Sequence, residues 1–307
     1  MKDSKRQKLP RKTPVPSSLS VVATPIGNLS DFSPRARQAL QEADVILCED
    51  TRKAMQLMSA LGITSQAQLE RCDAHEEHKK SARWMQHLES GQKVVLLSDA
   101  GTPGLSDPGA MVLAEALEVG ASVSPIPGPS AVAALLSVAP FPVTPFAFRG
   151  FFPRKNGEQE KELADFQKSA AWAPVTVWFE SPQRIVESLR KAAEVLPEAQ
   201  VWVGKEITKL HEWFFYGDAL TTSQQVSEEV QREGERGEWC FALYLPPESQ
   251  GKSIDSEAWQ LALQCLLEAD VPASQAIKQV SQAFGIAKNT VYALAHSKKF
   301  EKNAQGG

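Results

Sequence analysis

The run Lys93–Val94–Val95–Leu96–Leu97–Ser98–Asp99, continued by Ala100–Gly101–Thr102–Pro103–Gly104–Leu105–Ser106–Asp107–Pro108–Gly109, decides the fold. Four consecutive apolar residues bounded by turn formers read as a strand buried on both faces, as in a parallel sheet. Three glycines and two prolines then make a long stiff loop, and a helical pattern follows over 110–119. A connection of that length inside a compact domain usually carries function.

The same strand–loop–helix sentence recurs on either side. Short β-rich runs stand at 19–24 (LSVVAT), 44–50 (DVILCED) and 122–126 (SVSPI). Helical patterns occupy 34–43, 52–61, 76–89 and 130–138. Alternation of this kind predicts an α/β fold with a mostly parallel sheet covered on both faces. In such sheets ligands bind beyond the carboxyl ends of the strands. The loops TPIGNLSD (24–31), DAGTPGLSDPG (99–109) and PGPSA (127–131) fall at those ends. None contains G-K-[ST] or G-x-G-x-x-G, so neither nucleotide-phosphate fingerprint applies. Together they suit a ligand held mainly by main chain. Asp107 has a second reading, as the cap of the helix near Gly109 with Pro108 at its first position.

A second α/β unit is expected from Gly150. Helices are predicted over 158–171, 183–195 and 223–232, with strands at 174–180, 201–207, 211–217 and 238–245. The short links among the later strands require some antiparallel pairing. The resulting division is a basic arm (1–17), an N-terminal α/β domain (18–149), a C-terminal α/β domain (150–247) and a helical extension (254–300). In that extension Val280, Ile286, Val291 and Leu294 have the spacing of a helix-turn-helix core. It would present Lys288, Asn289 and Thr290 to nucleic acid, or serve as a purely structural bundle.

With 33 basic and 37 acidic residues the chain carries a net charge of −4, so RNA binding would need a local basic patch. The arm holds six cations against Asp3 and reads as either a solubilising tail or an electrostatic tether. Cys48, Cys72, Cys240 and Cys265 form no C-x-x-C pair. That points away from zinc and disulfides and towards a reducing, cytoplasmic setting. His75 and His78 are three apart but lack a third ligand, so no metal is implied. The basic start lacks an apolar stretch and does not read as a secretory signal.

Seven segments stand in one order: VVATPIGNLSD, LCEDTR, LLSDAGTPGLSDPG, PIPGPSA, RGFFPRK, WFESPQR and KEITKLHEWFFYG. In that order they resemble the ribosomal RNA small-subunit methyltransferase I family of the tetrapyrrole-methylase superfamily. The resemblance spans about 19–245 and extends to the helical tail. It departs in two places. Cys72–Asp73–Ala74–His75–Glu76 stands where the family has H-D-H-N-E, and Gln183 stands where the family has His.

The resemblance implies a homodimer of two α/β domains with S-adenosyl-L-methionine in the cleft between them. It implies methyl transfer to the ribose 2′-oxygen of a cytidine in the decoding region of 16S rRNA, free or in the 30S subunit. The cofactor residues it implies are Pro25, Gly27, Asn28, Ser98, Asp99, Ala100, Gly101, Thr102, Pro103, Asp107, Pro129, Ser130, Ala131, Phe179 and Glu180. A ribose hydroxyl needs a base or an oxyanion partner. The catalytic candidates are therefore Glu49, Asp50, Arg52, Lys205 and Glu206, with Asp99 beside them. Asp50 and Arg52 also suit a simple helix start, and 205–209 a charged strand end. Arg149, Arg154, Lys155 and Arg184 are candidates for RNA phosphate. Phe148, Phe151 and Phe152 read as base-stacking rings or as interdomain core. Two other functions stay open: methylation of a small molecule or protein side chain, and nucleic-acid binding through the tail alone.

Overall fold

The computed structural model describes residues 17–73, 77–106, 109–246, 256–269, 271–284, 286 and 288–296. The expected 1–17 arm, apart from Ser17, therefore lies outside the described residues, as do His75, Asp107 and Pro108.

The first unit is built on β1 (Ser18–Val22), β2 (Val45–Cys48), β3 (Gln68–Arg71), β4 (Lys93–Leu97) and β5 (Ser122–Ile126). All pair in parallel, in the order β3-β2-β4-β1-β5. Helices α1 (Pro34–Glu42), α2 (Thr51–Ala60), α3 (Glu77–Glu89) and α4 (Ala110–Glu118) connect them, and α5 (Ala131–Ser137) follows β5. Alternate residues of the central strands feed two cores. Leu47, Val94 and Leu96 pack with Trp84, Leu88 and Val112, while Ile46, Val95 and Leu97 pack with Leu40 and Met58. Pro125 is tolerated because β5 is an edge strand, where a missing N–H breaks no ladder. The sequence reading has no counterpart to β3, whose residues Gln68, Leu69, Glu70 and Arg71 are mostly polar. Its buried Glu70 is satisfied by Arg83 (2.8 Å) and Gln68 (2.8 Å), with His87 Nε2 at 3.0 Å.

The second unit contains β6 (Phe146–Phe151), β7 (Val175–Glu180), β8 (Gln200–Lys205), β9 (Trp213–Asp218) and β10 (Trp239–Tyr244). Their order is β6-β7-β10-β8-β9; β6 and β7 are parallel and the other pairs antiparallel. Helices α6 (Asn156–Ser169), α7 (Ile185–Val195) and α8 (Ala219–Glu233) cover one face, over a core centred on Trp178, Phe166, Leu189 and Phe241. The division expected at 149/150 falls inside β6, which belongs to this sheet. A register shift between Phe148 and Phe151 bends β6, with Gly150 at φ +71°.

The other face of this sheet is covered by α5 from the first unit. Val132, Leu135 and Leu136 pack with Val175, Val177, Cys240 and Ala242. Trp202 Nε1 donates to the Leu135 carbonyl at 2.9 Å. Helices α9 (Ser256–Glu268), α10 (Ala273–Phe284) and α11 (Lys288–Ala295) form a separate core around Trp259, Leu263, Ile277, Val280 and Val291. Ile286 and Leu294 pack against that core, so the four expected apolar positions meet.

Lys205 is buried in the α7/α8 layer. Its Nζ lies 2.9 Å from Glu229 Oε1 and 5.5 Å from the centre of the Trp239 ring. Truncating one member of such a pair leaves the other charge without compensation. Lys205→Met is expected to lower the unfolding free energy by about 3 kcal/mol in a denaturant titration. A chain of unchanged stability but lost activity would reassign Lys205 to the reaction.

Candidate functional site

A cavity of about 400 Å³ opens between the two units. That is the size of a small-ligand pocket. Its walls come from the carboxyl ends of the first unit's strands: Ile26 after β1, Glu49 after β2, Asp99–Thr102, Leu105 and Ser106 after β4, and Ser130–Val132 after β5. The second unit adds Phe151, Phe179–Pro182, Ile207 and Gly237–Cys240. The sequence reading singled out neither Ile207 nor the Gly237–Cys240 turn, because neither carries a loop signature before β10 is placed beside β7.

Main-chain stitching shapes the first wall. Thr24 and Gly101 exchange N–H···O bonds of 2.8 and 3.2 Å. The Ser98 hydroxyl donates to the Gly101 carbonyl at 2.8 Å, and the Thr102 hydroxyl to the Pro129 carbonyl at 3.1 Å. Gly101 sits at φ +83°, a conformation that favours glycine, and its buried backbone faces the cavity.

The cofactor candidates divide accordingly. Asp99, Ala100, Gly101, Thr102, Ser130, Ala131, Phe179 and Glu180 line the cavity. Pro25, Gly27, Asn28, Ser98, Pro103 and Pro129 do not. Ser98 is buried in the hydrogen bond just described. Asn28 caps a short 3₁₀ turn by accepting from Ser30 N at 3.0 Å. At Gly27 a Cβ would stand 2.2 Å from Lys209 Cγ, so this glycine makes room for the second unit and Ile26 faces the cavity instead. Helix α4 begins after Gly109, at φ +128°, and the cap expected from Asp107 lies outside the described residues.

Of the catalytic candidates Glu49, Asp50, Arg52, Lys205 and Glu206, Glu49 lines the cavity, as does Asp99 beside it. Asp50 caps α2 through Arg52 N (2.9 Å), and the exposed Arg52 side chain pairs back to Asp50 at 2.7 Å. These two residues take the helix-start role rather than a place in the wall. Lys205 points away from the cavity, towards Glu229. Glu206, at φ +53°, accepts from Lys209 Nζ (2.7 Å) and Glu238 N (2.8 Å). Burial raises its pKa, but those donors outweigh burial and hold it below the usual range.

Glu49 has the opposite balance. Burial, with the Asp99 and Asp73 charges, pushes its carboxyl above the usual range against the pull of the Asp99 N–H and Lys53. Asp99 accepts from Asp50 N (3.2 Å) and pairs with Lys53 (2.8 Å), fixing it beside Glu49. Beneath them, burial and the carboxylates of Asp99, Asp50 and Glu49 push the Cys48 thiol up to about 12, far from thiolate chemistry.

The RNA-phosphate candidates are mostly engaged. Arg149 pairs with Glu162 at 3.2 Å, and that carboxylate also accepts from Trp178 Nε1 at 2.9 Å. Arg184 pairs with the fully buried Glu180 carboxylate, which also accepts from Ser188 at 2.6 Å. The carboxylate of Glu180 is thus spent on α7, and its main chain meets the cavity. Lys155 pairs with Glu158 at the surface (3.1 Å), and Arg154 is exposed. Phe152 is core, in edge contact with Trp178, whereas the exposed Phe151 reaches the cavity rim. Phe148 meets Phe179 edge-on at 5.0 Å.

The family model of tetrapyrrole (corrin/porphyrin) methylases matches residues 18–219. The ribosomal RNA small subunit methyltransferase I of Neisseria meningitidis serogroup A is 39% identical, covering 93% of this chain and 95% of that protein. Its Xylella fastidiosa counterpart is 36% identical over 90% and 98%. Among solved structures, uroporphyrin-III C-methyltransferase from Thermus thermophilus, complexed with S-adenosylhomocysteine, superposes with a TM-score of 0.50 at 16% identity. It covers 74% of this chain and 97% of that one. Diphthine synthase superposes at 0.56 and 13%, over 76% and 99%. At these identities the structures establish the shared fold.

Because the pKa of Glu49 is raised on folding, its protonated form is the one the fold favours. Its contribution to stability is present at acid pH and lost as pH rises through the raised value. Glu49→Gln should therefore match or exceed the parent chain's Tm at pH 8, and the gap should close near pH 4. Thermal unfolding at both values checks this; a lower Tm at pH 8 alone would show that ionised Glu49 stabilises the fold.

Proposed function

The chain belongs to the ribosomal RNA small subunit methyltransferase I family of tetrapyrrole methylases, and on that premise we propose that it methylates the ribose 2′-oxygen of a cytidine in the decoding region of 16S rRNA. The observation that carries this reading is the convergence of the TPIGNL, EDTR, SDAGTPG and PGPSA loops on one 400 Å³ cavity. S-adenosyl-L-methionine fits that cavity in size and in chemistry. Apolar Ile26, Val132, Ile207 and Phe179 line it with the 99–102 and 130–131 loops, and Glu49 and Asp99 favour a cationic ligand. When bound, the cofactor supplies an electrophilic methyl group.

The residues of the chain would then position and deprotonate. The 101–102 and 130–131 backbones hold the ligand edge without side-chain reorganisation. Glu49, with its raised pKa, is the carboxylate suited to accept the hydroxyl proton, while Asp99 and Lys53 fix its surroundings. In this reading the enzyme is a cytoplasmic homodimer acting on 16S rRNA or the 30S subunit. Ribose-methylation mapping of 16S rRNA from cells with and without the gene tests the proposal. Loss of one cytidine 2′-O-methyl in the decoding region is expected, and an unchanged map would refute it.

The cofactor placement has its own test. Gly101→Val adds a branched side chain at φ +83°, next to Ile26 and facing the cavity. Calorimetry should show affinity for S-adenosyl-L-methionine falling tenfold or more, about 1.4 kcal/mol. Unchanged affinity in the folded variant would put the cofactor elsewhere.

A further inference from the structure

The structure ties Arg149 and Arg184 into ion pairs with Glu162 and the buried Glu180, which leaves only the exposed Arg154 and the surface-paired Lys155 of the four phosphate candidates. With a net charge of −4, RNA binding calls for a further local basic surface. The helical extension supplies one. From Val271 to Phe300 the sequence has no acidic residue and four lysines, Lys278, Lys288, Lys298 and Lys299. Lys278 and Lys288 are exposed, and neither has an acid partner among the described residues.

On α11 burial is confined to one side, although Thr290 is exposed as well. Val291 is buried in the three-helix core, with Leu294 packed beside it. On the opposite side Lys288, Asn289, Tyr292, Ala293 and His296 are all exposed. Their spacing of i, i+1, i+4, i+5 and i+8 puts them on one stripe. Within it the Tyr292 ring, 56% exposed, stacks on His296 with centroids 4.1 Å apart and planes 24° apart. A flat exposed pair of rings one turn from a cation, Lys288, and an amide, Asn289, is what an unpaired nucleotide needs: a stacking platform, a phosphate partner and an edge donor.

We infer that the exposed face of α11, with Lys278 of α10, is a binding surface for single-stranded RNA. It takes up the substrate with residues that are not part of the cavity wall, a base stacked on Tyr292 and phosphates at Lys278 and Lys288. This rests on the rRNA reading above. It assigns substrate capture to the extension and leaves the crevice to bind the cofactor.

The test uses the full chain in filter-binding titrations at several salt concentrations. The ligands are a single-stranded RNA of the decoding region and, separately, 30S subunits. Changing Lys278 and Lys288 together to Gln should flatten the log–log salt slope for the oligonucleotide by about 1.4, at about 0.7 per contact with a single strand. Tyr292→Ala should weaken RNA binding about tenfold, and Tyr292→Phe should restore it. Calorimetric affinity for S-adenosyl-L-methionine and the Tm should stay unchanged in every variant, which a merely structural role for Tyr292 would not allow. If the parent chain binds RNA and the variants bind it equally well with the same slope, the α11 surface is wrong and the rRNA reading stands. If the variants lose 30S subunits but keep bare RNA, the face contacts a ribosomal protein and the inference fails. If the parent chain binds neither ligand, both readings fail.

Discussion

Helix α5 holds the molecule together. It begins in the PGPSA loop of the first unit, capped by Ser130, and buries Val132, Leu135 and Leu136 against β7 and β10 of the second. Apolar burial has no direction, but a helix with its start fixed by a loop can satisfy that burial in few ways. The Trp202–Leu135 bond adds a directional constraint. The cavity follows from this docking, because the loop that starts α5 stands opposite the ends of β7 and the start of β10.

Charge in the second unit is arranged for closure. Lys205 with Glu229, Arg184 with Glu180, and Arg149 with Glu162 tie sheet to helices. A buried charge requires a partner, and the partner removes it from outside duty. The Glu206–Lys209 turn is the exception that crosses units. The stem of Lys209 lies against Gly27, and its ammonium joins Glu206 and Glu238 at the rim of the cavity. The glycine of TPIGNL is accordingly a contact between units, although its loop position suggested contact with a ligand.

The acidic end of β2 divides neighbouring residues by environment. Asp50 caps a helix, in hydrogen bonds that hold its carboxyl well below the usual range. Glu49, one residue earlier, faces a partly buried wall next to Asp99 and is pushed the other way. Adjacent carboxylates with opposed shifts are a recurrent way to place one ionised support and one proton acceptor in a small space.

The sequence by itself determined the parallel sheet, its covering helices and the three Gly/Pro loops, because hydrophobic period and turn chemistry are local properties. It also determined the family, through motifs that keep their order, and the four apolar positions of the tail. It missed β3, whose polar residues hide a strand that exists only because β2 offers it an edge. It also missed the start of the second sheet at Phe146, since a bulged strand at Gly150 reads as a boundary. Which loop residues face the cavity was a tertiary decision: Ile26 over Gly27, and Glu49 over Asp50. So was the withdrawal of Arg149 and Arg184 into ion pairs. A charge looks the same in a sequence whether it is free or paired, and the partner that settles its role comes from the packing of helices α6 and α7 on the second sheet.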